Sequence, residues 1–193
     1  MRKWILLASL VVLGLLCLFS GTLFPETPVD EKSIPEFSSA DIAWMLVSSA
    51  MVLIMTPGLG FFYGGMVRKK NVISTILQSF IAMGVITVVW VVIGFGLAFG
   101  DSIGGIIGNP SKFLFFSNVG TKSAWSLAPT IPLILFAVFQ MKFAIITPAL
   151  ISGAFAERIR FWGYLLFIIL FSLFIYSPLA HAVWHPDGIL FKY

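Results

Sequence analysis

The chain has 193 residues, of which 59% are hydrophobic, 16% aromatic and only 10% charged. Soluble domains are roughly 45–50% apolar and about 25% charged, so this composition excludes a soluble globular enzyme. Twelve Lys and Arg against eight Asp and Glu give a net charge of +4, and these charges are too dispersed for a nucleic-acid-binding surface. The single cysteine, Cys17, allows no disulfide within the chain.

Residues 1–25 begin with Arg2 and Lys3 and continue as an apolar stretch rich in Leu and Val. A basic start followed by an apolar core is typical of a secretory signal peptide or of an uncleaved membrane anchor. No clear cleavage site decides between the two. Residues 26–39 then combine prolines with acidic side chains, and we predict a solvated linker outside the membrane there.

Four charge-poor apolar segments follow the linker. They cover about residues 40–67, 72–100, 127–156 and 161–183. An ionised side chain at mid-bilayer costs about 2.5–3.5 kcal/mol on insertion scales, so segments of this length with almost no charge indicate membrane-crossing helices. The predicted fold class is an all-α membrane protein, a polytopic helical bundle. In the first segment, Gly60 and Gly64 have the spacing that lets a neighbouring helix approach closely.

The charges between these segments predict the orientation. Arg68–Lys70 and Arg158–Arg160 are short basic turns, whereas the 101–126 connector is long and rich in Gly and Ser. Short basic loops stay on the cytoplasmic side. We therefore expect a multi-pass protein of the cell membrane, with the linker, the connector and the C-terminal end outside the cell.

Aromatic and charged side chains within the segments are the candidates for function. Phe139 and Phe143 are four residues apart and share one helical face, and aromatic faces attract a cation. Trp184 lies at the outer end of the last segment. A cluster of these three aromatic side chains at that end would suit the binding of a small cation that must shed its water before it enters a narrow passage. Ordinary packing and a membrane-boundary tryptophan are the alternative. Lys142 and Gln140 indicate that one face of the third segment contacts water, protein or a conduction path. The alternative is that Lys142 extends to the membrane surface or pairs with a polar group between two helices.

His181 and His185 have the spacing of two metal ligands on one helical face. Asp187 is the only further ligand in register, and Pro186 predicts that the helix ends before a shared face can form. We therefore expect no metal and no cofactor. A membrane metalloenzyme remains an alternative that would need further histidines downstream. No nucleophile–base pair, phosphate-binding loop or paired carboxylates are found, so the sequence does not indicate an enzyme.

Several strings, taken in order, resemble those of the ammonium transporter family, which includes the Amt, Mep and Rhesus proteins. They are Pro57-Gly58, Phe61–Val72, Gly94–Gly100, Phe139-Gln140, Phe143-Ala144, Gly153–Arg158 and Tyr176–Trp184. The resemblance covers about residues 40–193. Members of this family are trimers of subunits with eleven membrane helices in two inverted halves, and each subunit has its own narrow pore.

The resemblance implies that residues 40–193 hold the first four of those helices. It implies a channel or transporter that recruits ammonium and passes ammonia through a hydrophobic pore. Its partners are then ammonium or ammonia, the lipid bilayer, two further copies in a homotrimer and a PII-type regulatory protein on the cytoplasmic face. An ammonium-sensing receptor domain fused to a downstream signalling module is the alternative.

The resemblance also assigns residues. Phe139, Phe143 and Trp184 match the outer recruitment cluster of the family, and Phe143 also matches one of two stacked phenylalanines that gate the pore. The paired pore histidines of the family lie on its fifth and tenth helices, so His181 is not one of them. The chain by itself is therefore expected neither to transport ammonium nor to form a stable trimer.

Overall fold

The structure, a computed structural model, describes residues 36–193, so the signal-like segment 1–25 and most of the 26–39 linker lie outside the described residues. The described part has four helices long and apolar enough to cross a membrane. These are α1 (Ser39–Met66), α2 (Lys69–Phe99), α3 (Leu133–Phe155) and α4 (Phe161–Trp184). At about 1.5 Å per residue, even the 23 residues of α3 extend about 34 Å, which exceeds the roughly 30 Å hydrocarbon core. The polytopic bundle predicted from the sequence is confirmed.

The helix α3 begins at Leu133 and not near residue 127, where the sequence predicted its start. Residues 128–132 form a strand instead. Pro129 and Pro132 explain the difference, because proline favours extended backbone in the residue before it and donates no backbone hydrogen bond. Pro132 itself is extended, with φ −61° and ψ 144°, and the helix starts directly after it.

The connector between α2 and α3 forms two small antiparallel hairpins, whereas the sequence predicted only a long loop. Strand β1 (Asp101–Ile103) pairs with β2 (Ile107–Asn109), and β3 (Ala124–Trp125) pairs with β4 (Ala128–Pro132). Two short 3₁₀ turns join β2 to β3. The connector is therefore a folded layer on one end of the bundle.

An aromatic cluster fills the core beneath this layer. Trp90 of α2 is fully buried and meets Phe95 and Phe99 edge-on, at centroid distances of 5.9 and 6.3 Å. Phe99 meets Phe136 of α3 at 5.1 Å and Trp125 of β3 at 5.4 Å. Edge-on aromatic pairs contribute about 0.5–1.5 kcal/mol each beyond the area that they bury. The cluster therefore joins α2, α3 and the connector into one packed unit.

Two of the helices contain a widened π turn. One covers Trp90–Gly94 in α2 and the other covers Ser172–Tyr176 in α4. The rings of Trp90 and Tyr176 meet at a centroid distance of 6.2 Å, so the two turns are neighbours in the bundle. Single π turns inside α-helices are often found at functional sites.

The predicted close approach at Gly60 and Gly64 is confirmed where α1 packs against α2. A Cβ atom added at Gly60 would lie 3.1 Å from the Cβ of Ser79, and one at Gly64 would lie 2.8 Å from the Cγ1 of Ile76. The absent side chains let the two helices come together, as in other membrane bundles.

Much of α1 is nevertheless open. Its exposed large apolar side chains include Trp44, Met51, Ile54, Phe61, Phe62 and Met66. A surface of this kind is stable against lipid tails or other apolar protein and unfavourable in water. The open side of α1 therefore agrees with a helix at the edge of a membrane bundle.

Candidate functional site

Phe139 and Phe143 lie one turn apart on α3, and both are half-buried. Their rings meet edge-on, with centroids 5.1 Å apart and an interplanar angle of 72°. Thr147 and Leu150 continue the same side of the helix. Thr147 is half-buried, and Leu150 is 50% exposed. The structure thus brings two of the three predicted site residues together on an open side of α3.

Trp184, the third predicted residue, is the last residue of α4 and keeps 40% of its surface exposed. Within residues 36–193, no ring contact joins it to Phe139 or Phe143. The three side chains therefore do not form one closed cluster in the described part of the chain.

The start of α3 and the end of α4 lie at the same end of the bundle. The ring of Trp125 stacks on Phe136 at 5.7 Å and meets His185, directly after α4, at 5.4 Å. From the start of α3, the helical rise places Phe139 about 9 Å and Phe143 about 15 Å deeper into the bundle. Trp184 therefore lies near this end of the bundle, and the two phenylalanine rings lie at successive depths further in.

A hydrogen bond beside the phenylalanine pair fixes α3 against α2. The Nε1–H of Trp90 donates to the carbonyl oxygen of Ala137 at 3.1 Å, and both residues are fully buried. A buried indole N–H without a partner costs about 1–3 kcal/mol. This hydrogen bond therefore favours the one position of α3 along α2 in which the bond can form. Ala137 lies two residues before Phe139. This role of Trp90 was not predicted from the sequence, where its only signal is a tryptophan away from a membrane boundary.

His181 is fully buried near the end of α4, and both of its ring nitrogens have partners. Nδ1 lies 2.9 Å from the carbonyl oxygen of Ala98. That oxygen can only accept, so Nδ1 carries the proton. In the neutral ring, Nε2 then accepts from the hydroxyl group of Ser102, also at 2.9 Å. His181 therefore joins α4 to the end of α2 and to β1.

The expectation that His181 and His185 cannot share a face is wrong, because their rings stack with centroids 4.4 Å apart. Although α4 ends at Trp184, the first residue after it keeps its ring beside His181. The Nδ1 of His185 accepts from the backbone N–H of Asp187 at 3.0 Å. Burial, and then the neighbouring imidazole of His181, lower the pKa of His185. Residues 36–193 contain no group of three or more His, Cys, Asp or Glu arranged to hold a metal ion.

Lys142 and Gln140 lie on α3 between and beside the two phenylalanines. Lys142 is half-buried, and no hydrogen bond or ion pair engages it in the described part of the chain. The Oε1 atom of Gln140 is buried and also has no partner there. Two polar side chains in the membrane-spanning part of α3 are therefore unsatisfied by residues 36–193.

At the opposite end of the bundle, Glu157 joins the two basic turns. Its Oε1 accepts from the Arg68 backbone N–H at 2.9 Å and from Nδ2 of Asn71 at 2.8 Å, and its Oε2 pairs with Nε of Arg68 at 3.0 Å. The Asn71 amide first, and the Arg68 backbone next, lower the pKa of Glu157 to about 2. This contact was not predicted from the sequence, where its only signal is an acidic residue beside a basic turn.

Comparisons with known proteins agree with these observations. A model of the Ammonium Transporter Family matches residues 43–193. An ammonium transporter of Mycobacterium tuberculosis is 50% identical over 161 residues, which cover 77% of this chain and 34% of that relative. The chain thus spans about a third of the length of the curated relatives that it matches.

Solved structures give the same result. Mep2 of Saccharomyces cerevisiae matches with a TM-score of 0.74 and 38% identity, over 81% of this chain and 34% of that one. A structure described as a sensor Amt protein matches with a TM-score of 0.69 and 28% identity, over 78% of this chain and 37% of that one. With four membrane helices among residues 36–193, the chain is a multi-pass membrane protein that belongs to the Ammonium Transporter Family.

Proposed function

We propose that the chain forms the first part of an ammonium channel or transporter. In this proposal Phe139, Phe143 and Trp184 recruit ammonium on the outer side, and Phe143 also gates a hydrophobic pore. The observation that carries the proposal is the ring pair of Phe139 and Phe143 on the open side of α3, below a mouth marked by Trp184.

The physical role of the rings follows from the cost of dehydration. Moving an ammonium ion out of water into an apolar medium costs tens of kcal/mol on a Born estimate. An aromatic face returns only about 0.5–2 kcal/mol, so the rings hold the cation at the mouth but cannot carry it through. Ammonium that gives its proton to a base such as water becomes neutral ammonia and avoids most of the remaining cost. Potassium has no proton to lose and is rejected.

The proposal includes an orientation and partners. The turns with Arg68–Lys70 and Arg158–Arg160 face the cytoplasm, and the connector and the C-terminal end lie outside the cell. The contact between Arg68 and Glu157 supports it by placing both basic turns on one side of the bundle. A homotrimer in the lipid bilayer and a PII-type protein on the cytoplasmic turns are the proposed partners. We do not favour the receptor alternative, since curated relatives that are about 50% identical to this chain are ammonium transporters.

The proposal can be tested with a chimera. In the chimera, this chain replaces the matching part of the Mycobacterium tuberculosis relative, and the chimera is expressed in cells that lack ammonium uptake. We expect methylammonium uptake. Phe139→Leu and Trp184→Leu, which keep an apolar side chain but remove the aromatic face, should each raise KM by about 2- to 30-fold. Phe161→Leu removes an exposed ring at the other end of α4 and serves as the control. Unchanged KM values in both test variants contradict the proposal.

A further inference from the structure

We propose that Lys142 is a built-in competitor of the substrate, whose side-chain ammonium group lies beside Phe139 and Phe143 and weakens the binding of a cation there. The inference rests on the proposed recruitment role of the two rings. It adds a residue that sets the affinity of the site.

The position of Lys142 on α3 places it at the level of the ring pair. With a rise of about 1.5 Å and a turn of about 100° per residue, Lys142 lies about 4.5 Å deeper than Phe139 and about 1.5 Å shallower than Phe143. It is turned about 60° from the first ring and about 100° from the second. Residues three apart on a helix have Cβ atoms about 5–6 Å apart, and the long lysine stem spans that distance.

No acidic group neutralises Lys142 within residues 36–193. The ion pairs there involve Arg68, Lys112, His185 and Lys192, and none of them includes Lys142. Among the four helices, the only acidic side chain is Asp41 in the first turn of α1. The hydrogen bond from the Ser38 N–H to the carbonyl oxygen of Thr130 places that turn near the start of α3, whereas Lys142 lies about 14 Å further in.

The side of α3 that holds the rings is the side that Lys142 can reach. Five buried residues of the middle of α3, Met141, Ala144, Ile145, Pro148 and Ala149, face the other helices, whereas Ile146, one turn after Lys142, is buried on the side of the rings. Lys142 is half-buried at the edge of the open side. Its charged group avoids the apolar packing of the buried side. It stacks on neither ring face within residues 36–193, so it acts on a bound cation through its charge.

The expected effect is large enough to measure. Two positive charges roughly 7 Å apart, at an effective dielectric constant of about 20–40, repel each other enough to weaken binding by about 7- to 55-fold. A single aromatic face contributes a change of similar size, so Lys142 offsets about one ring of the site. The residue therefore sets the concentration range in which the protein recruits ammonium.

The same chimera tests this inference through Lys142→Met, which removes the charge and keeps a similar length. We expect the KM for methylammonium to fall about tenfold while Vmax changes much less. Lys142→Arg keeps the charge and should keep the KM of the parent chimera. Methionine also favours membrane insertion over lysine, so loss of the protein from the membrane is not expected.

Lys122→Met is the matched control, because it removes the same charge from an exposed lysine on the connector. Its KM should equal that of the parent. A KM for Lys142→Met that is within twofold of the parent, or higher, overturns the inference. Where Phe139→Leu and Trp184→Leu raise KM and Lys142→Met does not lower it, only the role of Lys142 fails. Where none of the three changes KM, the recruitment proposal itself fails.

Discussion

A histidine buried in a membrane bundle needs a partner for each ring nitrogen, because an unpaired polar group in an apolar surrounding is costly. His181 has two such partners, the carbonyl oxygen of Ala98 and the hydroxyl group of Ser102. Ser102 also accepts from the backbone N–H of Gly105 at 3.2 Å, which closes the turn between β1 and β2. The histidine is therefore part of the structure that holds the first hairpin on the helices.

Replacement of His181 by Leu tests this role. We expect a loss of roughly 1–3 kcal/mol in the free energy of unfolding, because the Ser102 hydroxyl group loses its acceptor and the Ala98 carbonyl oxygen loses its donor. Thermal unfolding of the whole chain in detergent micelles measures the change. Ser126→Ala, at an exposed serine of the connector, is the control. EDTA should leave the midpoint of the wild type unchanged, and a midpoint that rises with added zinc contradicts this assignment.

Among the site residues, contacts within one helix could be predicted from the sequence. Contacts that depend on how two elements meet could not. Phe139 and Phe143 share a face because both belong to α3. The stacking of His181 on His185 depends on the path of the chain after α4 ends, which the helical period does not describe.

At the scale of the helices, small residues decide how closely neighbours pack. A Cβ atom added at Gly153 of α3 would lie 2.6 Å from the ring of Tyr63 on α1. The Tyr63 hydroxyl group donates to the carbonyl oxygen of Leu150 at 2.7 Å, so the ring cannot move away without losing that bond. The contact fixes the spacing of α1 and α3.

Gly153→Ala should therefore destabilise the chain by roughly 1–3 kcal/mol, since the added methyl group overlaps the ring. Gly58→Ala is the matched control, because a Cβ atom there meets nothing within 4 Å. In the control, the higher helix propensity of alanine should stabilise α1 by up to about 1 kcal/mol. Both are measured as thermal midpoints in micelles, and equal midpoints for the two variants contradict the packing argument.

Glu157 joins the two basic turns, and the stability that this contact contributes depends on pH. The pKa of Glu157 is lowered from its ordinary 4.5 to about 2. A carboxyl group with a lowered pKa stabilises the folded state fully above pH 4.5, and this contribution is lost as the pH falls through about 2. The midpoint difference between wild type and Glu157→Gln should therefore be constant from about pH 7 to 5 and shrink below pH 4.5.

Ser74→Ala provides the comparison for this pH series. The Ser74 hydroxyl group donates to the backbone carbonyl oxygen of Asn71 at 3.0 Å, beside the same turn but without an ionisable partner. Its effect on the midpoint should not depend on pH. If the effect of Glu157→Gln is equally constant down to about pH 3, the carboxylate does not act through its charge.

For the molecule as a whole, the predicted parts are those with a local cause. Long apolar segments predict membrane helices because the bilayer has a fixed thickness. The hairpins of the connector were not predicted, because strand pairing in short polar segments depends on the surface beneath them. The contact of Glu157 with Arg68 joins residues 89 positions apart, and no local pattern encodes such a separation.

The chain expressed alone, as residues 1–193, should not take up methylammonium. The open side of α3, with Phe139, Lys142 and Phe143, has no facing wall in the described part, so no pore surrounds the ring pair. Uptake by cells that express the chain is compared with that of cells that express the chimera. Uptake above the background of empty cells contradicts this prediction.

The π turn at Ser172–Tyr176 changes the direction in which the later side chains of α4 point. A π turn adds one residue to the helix, so every side chain after it is rotated by about 100° from the position that a regular helix gives. Deletion of a single residue within this turn would therefore restore a regular helix and leave Trp184 and His181 on their present side, whereas a deletion in the regular part of α4 would rotate its two halves against each other by about 100°. The extra residue of the π turn thus sets which side of the bundle the outer half of α4 presents.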